Sequence, residues 1–511
     1  MIRKAPHAVA PPAPTRTWMG HPVGLSTLFF TEMWERFSYY GIRPLLVLFM
    51  TAALLDGGFG FQRSQAAAIV GIYAACVYLA SLPGGWIADR WLGLRRAIWY
   101  GGILIACGHL AIALSALLAK PAFFMGLVLI VLGTGLLKPN ISAIVGELYP
   151  EGGSRRDAGF SLFYMGINIG AFLAPLITGF LGEKVGWHYG FGAAGVGMLF
   201  GLLVYRRRQT STLGERGLHP AGTPAEQQSC KRIVAGGVVV LLAVILGAMT
   251  GLFTIDAVWI AERMTLIILA TALSYFAYLF FLARLSGDEK KRVGVIVVLF
   301  LFATVFWSAF EQAPTSLNLF ARDYTDRVIF GWEMPTLWLQ AANSLFVIAL
   351  APVFAAIWLT LGRRGRDLSS PAKFSTGLFF GGIGFLLMVP AAHLVINGGG
   401  NIRVSIWWLV ASYFFQTVGE LALSPVGLSS MTKLAPRAFV GQMMGVWFTA
   451  AALGNLIAGL VGGHVDPSKL DQMPQLFQQT AISLFVAAVV LAILVIPIRK
   501  MMKQSSVAGG H

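Results

Sequence analysis

The chain has 511 residues, of which 57% are hydrophobic and only 12% charged, and its mean hydropathy is +0.72. Those values exclude an ordinary soluble globule and a disordered chain, and they indicate a protein that crosses a membrane many times. The formal net charge of +16 needs no nucleic acid to explain it, because basic loops beside anionic headgroups give a membrane protein the same excess.

Apolar stretches long enough for a ~30 Å hydrocarbon layer run in chain order near 22–49, 64–88, 97–118, 122–146, 158–182 and 188–205. Two follow near 233–254 and 257–283, then six more near 293–320, 336–361, 374–396, 404–431, 438–461 and 475–498. This predicts an all-α polytopic membrane protein with fourteen spans in a six, two, six arrangement. Strict alternation from an inside N-terminus places the great majority of the 38 Lys and Arg residues on one side, which marks that side as cytoplasmic and puts both termini there. The expected organisation is a cytoplasmic tail 1–21, a six-helix bundle 22–208, a cytoplasmic linker 209–232, an inserted hairpin 233–284, a second six-helix bundle 285–498 and a tail 499–511. Two bundles related by an axis along the membrane normal are expected to hold a site between them at mid-depth.

The first span carries Glu32, Glu35, Arg36, Tyr39, Tyr40 and Arg43. At 100° per residue these fall within an arc of about 140°. Each charge at mid-bilayer depth costs roughly 2.5–3.5 kcal/mol, so the stripe is expected to face a protein-lined, wet cavity. At the end of the second span, Gly85, Asp89, Arg90, Arg95 and Arg96 form a short loop that packs an acid among arginines. In the fourth span Lys138 precedes Pro139, which removes a helix hydrogen bond. The alternative is a lysine that snorkels to an interface.

Asn168 in the fifth span is flanked by glycines that permit close backbone approach; an interhelical hydrogen bond explains it equally well. Glu311 lies in the apolar run Phe306-Trp307-Ser-Ala-Phe310-Glu311-Gln312. Near the end of the chain Gln416, Glu420 and Ser424 share one helix face just before Pro425, and Lys138 is the natural cation for Glu420. Glu32, Glu35 and Glu311 have the environment that tunes a carboxylate to bind and release a proton, although structural ion pairing competes with that reading. Cys76, Cys107 and Cys230 suggest neither a disulfide framework nor a metal site. The chain lacks the zinc-binding His-Glu-x-x-His motif, the Gly-x-Ser-x-Gly nucleophile elbow and paired aspartates within spans, so an enzyme is not expected.

The loop from Gly85 to Arg96 resembles the signature loop of the major facilitator superfamily. Several motifs together resemble the proton-dependent oligopeptide transporter family within it: Glu32-x-x-Glu35-Arg36-Phe-x-Tyr39-Tyr40-Gly41, GTGLLKPNIS around Lys138, FYMGINIGA around Asn168, FWSAFEQ around Glu311, GELALSPVGLS around Glu420, and MMGVWF around Trp447. The resemblance runs from about residue 22 to 498. It implies a major facilitator fold in a plasma membrane, the inner membrane of a bacterium, and symport of di- and tripeptides with protons.

On this resemblance, Arg36 and Lys138, with Tyr40, are expected to hold the peptide carboxylate, and Glu420, Asn168 and Asn343 the peptide amine. Tyr39, Tyr73, Trp307, Trp447 and Ser424 are expected in side-chain pockets. Glu32, Glu35 and Glu311 are expected to couple protons. Arg43, Arg63 and Pro425 are expected at gates, with Asp323 as a partner for either arginine. Animal members carry a histidine in the second span; here that span has none, and His109 stands alone in the third. No cofactor, metal, nucleic acid or obligatory protein partner is expected beside the proton gradient and the bilayer. Nitrate or another small organic anion is the alternative substrate, which the complete Glu-x-x-Glu-Arg motif and Glu420 argue against.

Overall fold

The computed structural model describes residues 17–150, 153–364, 368–436 and 439–507. Much of the expected tails 1–21 and 499–511 therefore lies outside the described residues. Six long helices come first: α1 (Gly24–Thr51), α2 (Arg63–Ile87), α3 (Leu94–Ala113), α4 (Ser115–Glu147), α5 (Gly153–Phe180) and α6 (Trp187–Leu213). A hairpin of α7 (Pro224–Met249) and α8 (Ala257–Phe281) follows. The second set comprises α9 (Gly287–Phe310), the short α10 (Asn318–Tyr324), α11 (Ala341–Arg363), α12 (Ser370–Leu386), α13 (Met388–Asn397), α14 (Trp407–Leu434), α15 (Val440–Gly462) and α16 (Gln472–Val507). Strand structure among the described residues is confined to three two-residue pairings in loops.

Twelve helical stretches among the described residues are long and apolar enough to cross a membrane, α9 with α10 and α12 with α13 each forming one stretch. The 28-residue helices α1 and α14 are long enough but fall outside that set. Among the polar residues that dilute them are the charged stripe on α1 and, on α14, Gln416 and Glu420, which the sequence reading singles out, together with Thr417, which it does not.

Helical structure reaches further into the 209–232 stretch than the sequence reading expects. Helix α6 continues to Leu213, and α7 begins at Pro224 behind a capping box in which the Thr223 side chain accepts from the Glu226 N–H while the Glu226 carboxylate accepts from the Thr223 N–H. A side chain that satisfies orphan helix donors allows a helix to start in polar sequence. The ten residues between fold back over the loop after α2. Arg95, buried, donates to the Gly214 carbonyl (2.7 Å) and to Gln209, the Gly222 N–H donates to the Asp89 carbonyl (3.1 Å), and Arg90 pairs with Glu226.

Glycines set the closest helix approaches. A Cβ on Gly170 would stand 2.2 Å from the Met33 carbonyl, so α5 lies directly against the charged stretch of α1. Gly71 on α2 and Gly459 on α15 meet across the two halves, where a Cβ on either would lie within 3 Å of the other's Cα. Helix α8 packs over this seam through Ala257 and Ala261 against Ala68, Ala75 and Ala452, whereas only 6% of the most apolar window of α7 is buried.

The halves are joined chiefly at the end remote from the basic loops. There Asn318 donates to the Pro44 carbonyl (2.8 Å), Arg322 to Thr51 Oγ1 (2.8 Å), Arg63 to the Val465 carbonyl (2.7 Å) and Trp338 Nε1 to the Leu176 carbonyl (2.9 Å). In each case one partner comes from α1–α6 or its loops and the other from the second set.

Candidate functional site

Behind these contacts lies a cavity of ≈ 150 Å³ between the halves. Tyr40, Arg43 and Tyr78 line it from α1 and α2, Tyr164 and Asn168 from α5, and Trp307, Phe310 and Glu311 from α9 and the turn after it. Gln340, Asn343, Tyr413, Gln416 and Glu420 close the opposite wall. The site is thus amphipathic, with aromatic walls and charged or amide groups at separated points, the composition of a pocket that fixes polar ends and tolerates varied side chains.

The α1 stripe is largely buried, but the expectation that it faces a wet cavity holds for two of its six residues: Tyr40 and Arg43 line the cavity, whereas Glu32, Glu35, Arg36 and Tyr39 are packed outside its lining, because their charges and hydroxyl are enclosed by neighbouring helices and one another. Arg36 is 2% exposed; its Nε lies 3.2 Å from Glu32 Oε1, and the guanidinium is hydrogen-bonded to Glu35. Tyr39 presents its ring to both cations of the stripe, 5.1 Å from the Arg36 guanidinium carbon and 5.9 Å from that of Arg43, and stacks on Tyr73 at 6.1 Å. Helix spacing explains the alignment, since positions 36, 39 and 43 follow one another up the same face. Both members of the Tyr39–Tyr73 pair are buried beside the cavity rather than lining it.

Arg43 lies one turn beyond Tyr40 and crosses to the other half. Its Nη2 is 2.5 Å from Glu311 Oε2 and 2.5 Å from Asn455 Oδ1, with both side chains of the ion pair no more than 7% exposed. The expected gate arginine and an expected proton-coupling carboxylate are therefore one ion pair. Asp323 resolves the other way: it holds Arg63 at 2.6 Å and Arg322 at 2.8 Å, and Arg43 has a different partner.

The ion pair expected between Lys138 and Glu420 is not formed in this structure. Lys138 places its ammonium 4.5 Å from the Tyr78 ring centroid, within electrostatic reach of Glu32 and Glu35. Glu420 accepts from Asn343 Nδ2 at 3.4 Å, and that amide also donates to Thr417 at 2.8 Å. The reason is positional, since α4 and α14 belong to different halves and the halves meet most closely at the far end.

Asn168 donates to the Tyr164 carbonyl (2.9 Å) and still lines the cavity. Trp447 is buried against Phe374 and Gly427 outside the cavity lining, Ser424 is half-buried, and Pro425 is exposed within α14. Of the expected loop residues, Gly85 lies within α2 and is half-buried, Asp89 and Arg90 lie in the turn after it, and Arg95 and Arg96 open α3; Asp89 and Arg96 are exposed, while Arg90 and Arg95 bind α7, α6 and the segment between them rather than Asp89. Among the described residues no group of three His, Cys, Asp or Glu is placed to hold a metal ion.

Sequence reasoning did not single out Tyr78, Gln340, Tyr413 and Asn455. Tyr164 was present in a quoted motif without a role. Aromatic and amide residues within apolar spans carry no periodic signal that separates cavity lining from packing, so only the fold brings them together.

Two six-helix halves, a buried charged helix and a central cavity closed by contacts at one end define a multi-pass membrane transporter of the major facilitator type. Comparison with known proteins makes the assignment specific. The chain belongs to the POT family, whose family model matches residues 95–478. It is similar to the peptide transporter YePEPT of Yersinia enterocolitica subsp. palearctica, at 51% identity over 496 residues that cover 96% of this chain and 97% of the relative. It is also similar to a di-/tripeptide transporter of Lactococcus lactis subsp. cremoris, at 38% identity over 497 residues covering 95% and 98%. The crystal structure of a peptide transporter in complex with sulfate matches with a TM-score of 0.87 at 41% identity, covering 96% of this chain and 98% of that one.

Proposed function

We propose that this chain is a secondary active transporter of the bacterial inner membrane that carries di- and tripeptides into the cell together with protons by alternating access. The observation that carries the reading is the polarity of the two halves about the cavity. On the first half Arg43 of α1 lines the cavity, with Arg36 of α1 and Lys138 of α4 outside its lining, while Glu420 and Asn343 line it from the second. A zwitterionic peptide needs this polarity, with its carboxylate toward the cations and its amine toward the acid and amides. Nitrate has no use for Glu420.

In this reading α1 and α14 cross the membrane with the twelve more apolar stretches, making fourteen crossings with both termini cytoplasmic. The bundles 22–208 and 285–498 rock about the cavity, joined by the linker 209–232 and the hairpin 233–284. The structure then corresponds to a state closed on the outer side. Proton binding at Glu32 or Glu35 loosens their hold on Arg36 and frees it for the peptide carboxylate. Lys138 reinforces that end of the site, and the peptide amine takes up Glu420, Asn343 and Asn168. Proton binding at Glu311 releases Arg43 and Asn455 across the halves. Arg63 and Asp323 form a second tie nearer the outer surface.

No enzymatic step and no cofactor enter this cycle; the gradient supplies the work. A membrane potential of about 100 mV contributes 2.3 kcal/mol per proton and one pH unit about 1.4 kcal/mol. Together these support roughly a 500-fold gradient of a neutral solute per proton.

The test is uptake of labelled dialanine by the purified protein in liposomes with an imposed inward proton gradient. Uphill accumulation that unlabelled di- and tripeptides inhibit and nitrate does not is the expected result. Inhibition by excess nitrate without inhibition by unlabelled dialanine would replace peptide by anion as the substrate. Hydrolysis of the peptide by the protein in detergent would replace transport by catalysis.

A further inference from the structure

We infer that Glu183 is a positioning residue of the transport cycle, a latch that holds the outer side closed by capping a helix of the opposite half. Glu183 lies in the turn Leu181–Val185 that ends α5. Its Oε2 accepts from the Thr336 backbone N–H at 2.8 Å and its Oε1 from the Leu337 N–H at 3.0 Å. Those two donors open the tight turn Thr336–Gln340, which leads directly into α11 and forms one stretch with it, Thr336–Leu361.

The first N–H groups of a helix have no partner within it, and Pro335, the residue ahead of the turn, offers no side-chain cap. A carboxylate that accepts from two of them makes charge-assisted bonds at the end of the helix that favours negative charge. Here the carboxylate comes from the other half of the molecule. The side chain is 12% exposed, and its nearest cation is Arg327 at 4.0 Å, already engaged by Glu333 at 2.9 Å and by the Met334 carbonyl at 2.5 Å. Backbone donors, not a guanidinium, are its principal partners. Leu337 packs against Gly179 and Trp338 donates to Leu176 beside the same contact, so the helix start is seated on the end of α5.

The inference rests on the alternating-access reading, because a latch has a role only if the halves separate on this side. Separation removes the Glu183 carboxylate from both N–H groups at once. It differs in kind from Arg43–Glu311 and Arg63–Asp323, since one partner is backbone and cannot be changed by any side chain at its own position except proline.

The test uses the full-length protein in liposomes, with Cys76, Cys107 and Cys230 replaced and spin labels at Tyr189 and Trp407. These residues are 65% and 69% exposed at the outer ends of opposite halves. Electron-electron distance measurements then report the ratio of separated to closed outer sides. Glu183→Gln, which keeps one acceptor and loses the charge, is expected to raise that ratio roughly 10-fold.

Thr336→Pro deletes one donor and leaves the carboxylate intact. Proline is compatible with the first helical position, and Pro335 already has the extended ψ of 139° that a following proline requires. It is expected to raise the ratio about 5-fold, and the double variant should fall well short of the product of the two. Peptide affinity in counterflow is expected to stay unchanged in both variants while the rate of proton-driven uptake changes.

Wild-type distances in Glu183→Gln, against a wild type that does show two populations, would overturn the latch alone. A shift in Glu183→Gln with none in Thr336→Pro would also overturn it, because the carboxylate would then act through Arg327. A wild type with one distance under every combination of peptide and proton gradient would overturn the alternating-access reading itself.

Discussion

Neutralising Glu311 tests the closest charge contact between the halves. Arg43 Nη2 and Glu311 Oε2 are 2.5 Å apart, and the two side chains are 7% and 6% exposed. At that separation and an effective dielectric constant of about 20, the Coulomb attraction is roughly 7 kcal/mol. Desolvation removes much of it, and breaking a buried pair by deleting one partner typically costs about 3–5 kcal/mol.

Glu311→Gln retains a hydrogen-bond acceptor worth about 1 kcal/mol, and Asn455 still holds Arg43. The closed outer side should therefore lose about 2–4 kcal/mol, roughly a 30- to 850-fold shift toward separation. The assay is modification by a water-soluble maleimide of Leu337→Cys, introduced where the fully buried Leu337 faces Gly179 across the halves. Modification should quicken by that factor in Glu311→Gln, and proton-driven accumulation should fall while counterflow exchange persists. An unchanged modification rate together with unchanged accumulation would refute the assignment of this pair to closure and coupling.

Glu35→Gln should reduce proton-driven accumulation by 10-fold or more and spare exchange if Glu35 is the proton site proposed above, since it lies outside the cavity lining; equal loss of both in liposomes would contradict this. Arg36→Ala should weaken binding of dipeptides with a free carboxylate by about 10- to 100-fold and that of carboxyl-amidated dipeptides much less, measured as inhibition constants for uptake. Gly170→Ala should destabilise the fold by about 1–3 kcal/mol, seen as a lower unfolding midpoint in detergent, since its Cβ would lie 2.2 Å from the Met33 carbonyl.

The sequence made the membrane character, the all-helical class and the charged face of α1 legible, because each depends on composition or a short period. Glu32 and Arg36 stand four residues apart on one helix, so their pairing follows from spacing, whereas the contact of the adjacent Glu35 with Arg36 does not. Arg43 with Glu311, and Glu183 with Thr336, join distant parts of the chain through the packing of two halves, and no local pattern encodes which groups meet. The same reason defeats the Lys138–Glu420 pair: opposite charges at similar depth make a reasonable couple, but which end of the cavity is closed decides whether they meet. The start of α7 was legible in principle from Thr223-Pro-Ala-Glu226, yet basic and polar neighbours concealed it.

At Gly71 and Gly459 the halves touch backbone to backbone, with no side chain standing between them. Interlocked side chains resist sliding because each must leave one niche before entering another, whereas two bare glycines offer a smooth bearing. Any side chain at either position would wedge the halves apart, so this seam closes only because two positions have no side chain at all.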